Sequence, residues 1–170
     1  MIRNMSISYR VLALVVLGMG INADAAAGQV SAGVQGNWAS DTDIGVGARA
    51  ILGLGGIVKG FDTFGSFDYF FPSDDSGADI TYWEANANLV YRVNAGSNST
   101  TPYVGAGLNI AYTKVSTNAL GGEVSGTETH GGLNLLGGII FDLGRLKPFF
   151  EGRFELGGGE QFVATVGLRL

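Results

Sequence analysis

Ile80-Thr81-Tyr82-Trp83-Glu84-Ala85-Asn86-Ala87-Asn88-Leu89-Val90-Tyr91-Arg92-Val93-Asn94 separates into two unlike sets when alternate residues are read together. One set is Thr81, Trp83, Ala85, Ala87, Leu89, Tyr91 and Val93; the other is Tyr82, Glu84, Asn86, Asn88, Val90, Arg92 and Asn94. Successive side chains of a β-strand point to opposite sides of its sheet, so the segment reads as a strand with one uncharged face and one charge-bearing face. A helical period would mix the two sets.

Seven further stretches repeat this division between clusters of Gly, Asn, Asp, Ser and Pro, at 28–38, 43–52, 61–71, 101–113, 131–142, 147–156 and 161–170. In the fifth strand Val104, Ala106, Leu108, Ile110 and Tyr112 oppose Tyr103, Gly105, Gly107, Asn109, Ala111 and Thr113. In the seventh, Phe150, Gly152, Phe154 and Leu156 oppose Phe149, Glu151, Arg153 and Glu155. The first, second, third, sixth and eighth strands follow suit, and no charge falls on any apolar face.

Alternation alone also describes a soluble half-buried sheet. The contents of the two faces decide the orientation. The apolar face carries bulky groups, whereas the polar face interleaves charges with Gly and Ala, as a narrow interior requires. Eight strands enclose a lumen just wide enough for side chains to fill. The expectation is an all-β fold, an eight-stranded antiparallel up-and-down transmembrane β-barrel with its apolar face toward outer-membrane lipid. Trp38, Tyr69, Trp83 and Tyr112 lie near one end of their strands and Tyr91, Phe141 and Phe150 near the other, which predicts two aromatic girdles.

The first 27 residues read as a cleavable signal peptide: Arg3 and Arg10 precede the apolar run Val11 to Ile21, followed by the small residues Ala25-Ala26-Ala27. The barrel domain then spans 28–170, one domain exported to the bacterial outer membrane. Removing Arg3, Arg10 and Asp24 with that leader leaves 8 basic against 14 acidic residues and a net charge of −6. Such a balance argues against nucleic acid as a partner, because a polyanion needs a basic patch. With no cysteine, an exported chain must be held by packing, hydrogen bonds or a membrane. An even strand count after an exported N-terminus places both termini on the periplasmic side. Outer loops are expected at 39–42, 72–79, 114–130 and 157–160, with the third the longest.

The segments Thr101-Pro102-Tyr103-Val104-Gly105-Ala106-Gly107-Leu108, Lys147-Pro148-Phe149-Phe150-Glu151 and Val166-Gly167-Leu168-Arg169-Leu170 resemble small bacterial outer-membrane β-barrel domains of the OmpA, OmpX and opacity-protein type. The resemblance covers the whole chain after the leader and implies a cell-envelope barrel that serves structural, surface-interaction or adhesion roles. It also implies that the barrel-assembly machinery recognises the last strand. Such chains usually end in an aromatic residue, and Leu170 stands there instead, although Phe162, Leu168 and Leu170 keep the outward apolar pattern. No cell-wall-binding segment follows residue 170 in this sequence, so cell-wall anchoring is not implied.

Candidate functional residues fall into two groups. Arg49, Asp62, Asp68, Glu84, Arg92, Glu151, Arg153, Glu155 and Arg169 are expected inside the lumen, where buried charges must pair and would form a plug. Asp74, Asp75, Asp79, Glu123, Glu128 and His130 are expected in outer loops as candidates for contact with a surface ligand or host partner. A porin-like small-solute channel is the alternative reading, and a secreted soluble ligand-binding barrel, suggested by the lipocalin-like Gly36-Asn37-Trp38, is a weaker one. Catalysis is not expected. Glu151 and Glu155 would lie roughly 13 Å apart at about 3.3 Å per residue, beyond the roughly 5 to 9.5 Å of paired glycosidase carboxylates. Small lipid A deacylase barrels place a serine two residues after their histidine, whereas Gly132 follows His130 at that spacing. Gly53-Leu54-Gly55-Gly56 lacks the ending of a phosphate loop, and a single histidine without cysteine predicts neither metal nor cofactor.

Overall fold

Strands with one bulky apolar face and one charged, glycine-rich face need two different surroundings, and closing the sheet on itself separates them. The structure, a computed structural model, describes residues 30–73, 79–97, 99–119, 122–157 and 160–170; the expected signal peptide, Asp74 and Asp75 lie outside them, as does the side chain of Glu123. The strands are β1 (Val30–Ala39), β2 (Asp43–Gly53), β3 (Phe61–Phe71), β4 (Asp79–Arg92), β5 (Thr100–Ala119), β6 (Gly122–Phe141), β7 (Lys147–Leu156) and β8 (Gln161–Arg169). Each pairs antiparallel with the next, and β1 closes the barrel on β8 from Gly33↔Arg169 to Ala39↔Val163. We call the end bearing the β2–β3, β4–β5 and β6–β7 connections the turn end, and the opposite one the hairpin end.

One expected boundary is corrected. The segment 114–130 is not a loop, because β5 and β6 remain paired out to Ala119↔Gly122. Glu123, Glu128 and His130 therefore belong to strand β6, and Asp79 opens β4. The segment looks like a loop in sequence because it carries no apolar alternation, and its described side chains, at 114–117 and 124–130, are mostly exposed on both faces. Backbone pairing alone gives it strand geometry.

The apolar faces point outward. Val34, Trp38, Val104, Leu135, Phe150, Phe154 and Val166 are each about half exposed on the barrel surface. Aromatic side chains meet in pairs at both ends, with Trp83 stacked on Tyr112 at 5.2 Å at the hairpin end, and Phe61 against Tyr91 at 5.1 Å and Phe141 against Phe150 at 6.1 Å at the turn end. The interior is layered. Ile51, Phe64, Val90, Tyr103, Leu136, Ile140 and Phe149 form an apolar cluster toward the turn end, and Ala39, Phe70, Tyr82 and Val163 form one toward the hairpin end. Polar and charged side chains fill the space between them. Besides the charges and small residues expected there, five large aromatic side chains point inward: Phe64, Phe70, Tyr82, Tyr103 and Phe149.

Room for three of these rings and for several other inward side chains comes from glycines directly opposite them in register. Gly45 faces Phe70, Gly47 faces Asp68, Gly105 faces Val90, Gly107 faces Asn88, Gly132 faces Asn109, Gly138 faces Tyr103 and Gly167 faces Phe149. A Cβ at Gly138 would sit 2.5 Å from the Tyr103 ring, and one at Gly167 would sit 2.5 Å from the Phe149 ring. At Gly107 a Cβ would run into the Ala87 carbonyl and the Asn88 side chain. Outward Gly36 has nothing within 4 Å of that position. Gly107→Val is expected to lower unfolding stability in detergent micelles by roughly 1–3 kcal/mol through overpacking, while Gly36→Ala should stay within about 0.5 kcal/mol of wild type. Urea titration followed by Trp38 and Trp83 fluorescence measures both.

The β6–β7 turn is fastened by Asp142, whose carboxylate accepts from Gly144 N at 3.1 Å and from Lys147 Nζ at 3.0 Å. The hydrogen bond from Lys147 is the main cause that lowers the Asp142 carboxyl below its usual range, with the Gly144 amide and the lysine charge adding to it. A depressed folded-state value means that the turn gains from the ionised form above the ordinary aspartate range and loses that gain as pH falls through the folded-state value. Carbon NMR should show Asp142 titrating below 3.8 in the wild type and returning toward it in Lys147→Met.

Candidate functional site

Inward positions on all eight strands converge on one polar network in the middle of the barrel. Arg153 on β7 is fully buried and lies at its centre. Its Nε donates to Glu155 Oε1 at 2.7 Å, its Nη2 donates to Glu84 Oε2 at 3.0 Å, and the same nitrogen stands 4.0 Å from Asp68 Oδ2. Gln161 Nε2 on β8 bridges the two glutamates, at 2.6 Å from Glu84 and 2.8 Å from Glu155. Tyr82 donates its hydroxyl to Glu84 at 2.7 Å.

Asp68 is solvated by neutral donors instead of water. Gln35 Nε2, Asn37 Nδ2, Ser66 Oγ and Asn86 Nδ2 reach its two oxygens at 2.5, 2.7, 3.0 and 3.2 Å. Asn37 in turn accepts from Thr165 at 2.8 Å. Asn134 extends the network to β6 by donating to Asn86 and Asn88 at 2.9 and 3.0 Å.

A second ion pair lies toward the turn end. Arg49 on β2 grips Glu151 on β7 with both terminal nitrogens, at 3.2 and 3.1 Å, and donates its Nε to Gln35. Tyr103 completes the carboxylate's shell at 2.7 Å. The guanidinium sits between the Phe64 and Phe149 rings, 4.5 and 4.1 Å from their centroids. Planar, charge-delocalised arginine suits that sandwich as lysine would not.

The lumen set expected from sequence is therefore divided. Arg49, Asp68, Glu84, Glu151, Arg153 and Glu155 meet in the network, whereas Asp62, Arg92 and Arg169 stand at the turn-end mouth. Arg92 pairs with Asp62 at 3.3 Å and is 42 % exposed, because β4 ends there and no ring of strands encloses it. Sequence reading missed Gln35, Asn37, Ser66, Gln161 and the tyrosine hydroxyls of Tyr82 and Tyr103. Their signal was present as polar atoms on the charge-bearing face; Ser66 and Tyr82 reach a carboxylate two residues along their own strands, whereas the partners of Gln35, Asn37, Tyr103 and Gln161 lie on other strands.

Asp79, Glu128 and His130 lie at the hairpin end, distant in register from the network, and are exposed. β4 covers β5 only as far as Asp79↔Ser116, and β7 covers β6 only as far as Leu133↔Leu156. The edge of β6 from Val124 to Gly132 has no neighbouring strand among the described residues. Eleven residues, from Gly122 to Gly132, extend past the β7 pairing, a length of roughly 35 Å along the strand.

Removing one partner from a buried ion pair is costly because it strands the other charge. Arg153→Met leaves Glu84, Glu155 and Asp68 without their shared cation and is expected to destabilise the barrel by roughly 3–5 kcal/mol. Glu84→Gln, which keeps an acceptor for Tyr82, should cost clearly less. Urea midpoints of the two variants at constant m-value test the ranking.

No protein-family model matches the chain, and no curated protein matches it significantly. Solved structures do. The N-terminal β-barrel domain of Pseudomonas aeruginosa OprF superposes with a TM-score of 0.57 at 16% identity, over 84% of this chain and 97% of that one. Neisserial surface protein A gives 0.57 at 18% identity, over 83% and 94%. Ail, the attachment invasion locus protein of Yersinia pestis, gives 0.54 at 16% identity, over 84% and 97%, and its complex with the heparin analogue sucrose octasulfate matches at 0.54. At these identities the likeness is one of fold, and the chain has the eight-stranded fold of the small outer-membrane barrels.

Proposed function

We propose that this protein is a bacterial outer-membrane barrel that acts through its exposed β5–β6 hairpin as a surface-interaction protein, with a lumen closed by its own charges. The observation that carries the reading is the open edge of β6 from Val124 to Gly132. An exposed strand edge offers a row of unpaired backbone N–H and C=O groups and is a template for another strand. Natural edges are commonly blunted by proline, lysine or bulges; this one has Gly126, Gly131 and Gly132 and no proline or lysine. An extended segment of a partner fits it by adding a strand, with main-chain hydrogen bonds giving affinity and alternate side chains giving selectivity.

Charge narrows the partner. Asp41, Asp43, Asp79 and Glu128 lie toward the hairpin end with only Lys114 and His130 near them. Like charges across an interface suppress wrong partners, so a sulfated polyanion such as the heparin analogue seen on Ail is a poor match here. A strand carrying hydroxyl and basic side chains suits this edge better. Absence of catalysis is part of the reading: His130 is exposed and no serine or cysteine nucleophile partners it among the described residues.

The apolar belt supplies the support for a membrane location, because exposed groups such as Val104, Leu108, Leu135 and Phe154 have no protein partner on their outer side. The periplasmic placement of both termini belongs to the same proposal.

Replacing Thr113 to Glu128 by an Asn-Gly turn removes five of the nine open-edge residues, Val124 to Glu128, and keeps the β5–β6 pairing from Tyr112↔Thr129 inward. Panning extended peptides against the protein in lipid nanodiscs should yield binders that protect β6 amides between Val124 and Gly132 from exchange. The shortened variant should keep heat-modifiable migration and lose at least about tenfold in affinity for them. Binders indifferent to the shortening contradict the hairpin reading.

A further inference from the structure

The turn-end mouth holds more positive charge than its carboxylates neutralise. Arg49, Arg92, Arg169 and Asp62 line a shallow pocket there with Ile51, Phe64, Val90, Tyr103 and Ile140, whose enclosed space of about 10 Å³ ends at the guanidinium groups of the mouth. Arg49 is neutralised by Glu151 at 3.1 Å and Arg92 by Asp62 at 3.3 Å. Arg169 makes no ion pair among the described residues, and its Nε is buried without a hydrogen-bond partner. Three guanidinium groups thus face two carboxylates, and one cation is left over.

A buried donor without a partner and an uncompensated charge are both costly. Arg169 is held there by β8, whose inward parity aims it at the lumen opposite Gly33, a residue with no side chain to obstruct it. Lys147 at the same end is paired with Asp142, but Arg145 and Lys59 lie there too, in or beside the turns, so the field at the mouth attracts anions while the acidic hairpin end repels them.

We infer that this mouth is a binding site for a phosphate group, taken either as a free anion or as the headgroup of a phospholipid. Phosphate oxygens match the fork of a guanidinium, and one phosphate at the mouth can accept from the terminal nitrogens of Arg169 and from the half-exposed Arg92 together. The proposal is independent of the hairpin: it concerns the opposite end of the barrel and needs no surface partner.

The experiment is a titration of ¹⁵N-labelled protein in a maltoside detergent, which carries no phosphate, following the Arg169 Nε–Hε resonance. Inorganic phosphate and a short-chain phosphatidylglycerol are the two probes. The expected result is a saturable shift with at least one of them. Inorganic phosphate alone sufficing assigns a free anion; saturation only by phosphatidylglycerol assigns a lipid headgroup. Arg169→Gln should weaken binding by about tenfold or more, Asp62→Asn should tighten it by releasing Arg92, and Lys114→Gln at the opposite end of the barrel should leave it unchanged. Should Arg169→Gln fail to show the heat-shifted folded band, the wild-type resonance and Asp62→Asn decide. A shift that does not saturate with either probe, or wild-type affinity in folded Arg169→Gln, overturns the proposal.

Discussion

A fully buried arginine, Arg153, is the contact on which the barrel's interior depends. A guanidinium removed from water is tolerable only where acceptors surround it, and here they come from β3, β4 and β7, with Gln161 on β8 tying two of them together. Meeting that demand fixes the relative height of strands far apart in sequence. A register slip of one residue in β4 would send Glu84 to the lipid side and bring Trp83 inward. The network therefore specifies the closed barrel as much as it stabilises it.

The same demand explains the layering. Charged pairs are strongest away from water, and the inward aromatic groups at either end keep water from the middle. Phe64 and Phe149 flank Arg49 directly, while Phe70 and Tyr82 close the hairpin side with their rings 5.5 Å apart. Gly45 opposite Phe70 and Gly167 opposite Phe149 supply width where these rings turn inward. At those pairs the large side chain and the missing one form a unit.

Period-two alternation made the strands, their number and their outward face legible, because each is a local property of one segment. Residues 80–94 alone display it. The charge-bearing set was legible for the same reason, with Glu84, Glu151, Arg153 and Glu155 all on inward parity. What a single segment does not carry is register. Tyr103 and Phe149 fit on the inward face because Gly138 and Gly167 stand opposite them, a match that no single segment displays. Arg92 shares the inward parity of Glu84 yet stands half exposed, since depth along the axis depends on where neighbouring strands end. The β5–β6 projection was illegible for a different reason: with both faces in water, no pattern of burial marks Lys114 to Glu128 as strand.

A lumen filled by paired charges should be closed to ions, and single-channel recording in planar bilayers at neutral pH measures this. A flat baseline is expected for the wild type, with openings appearing in a folded Arg153→Ala variant. Steady conductance steps from the wild type would contradict it and favour a small-solute channel.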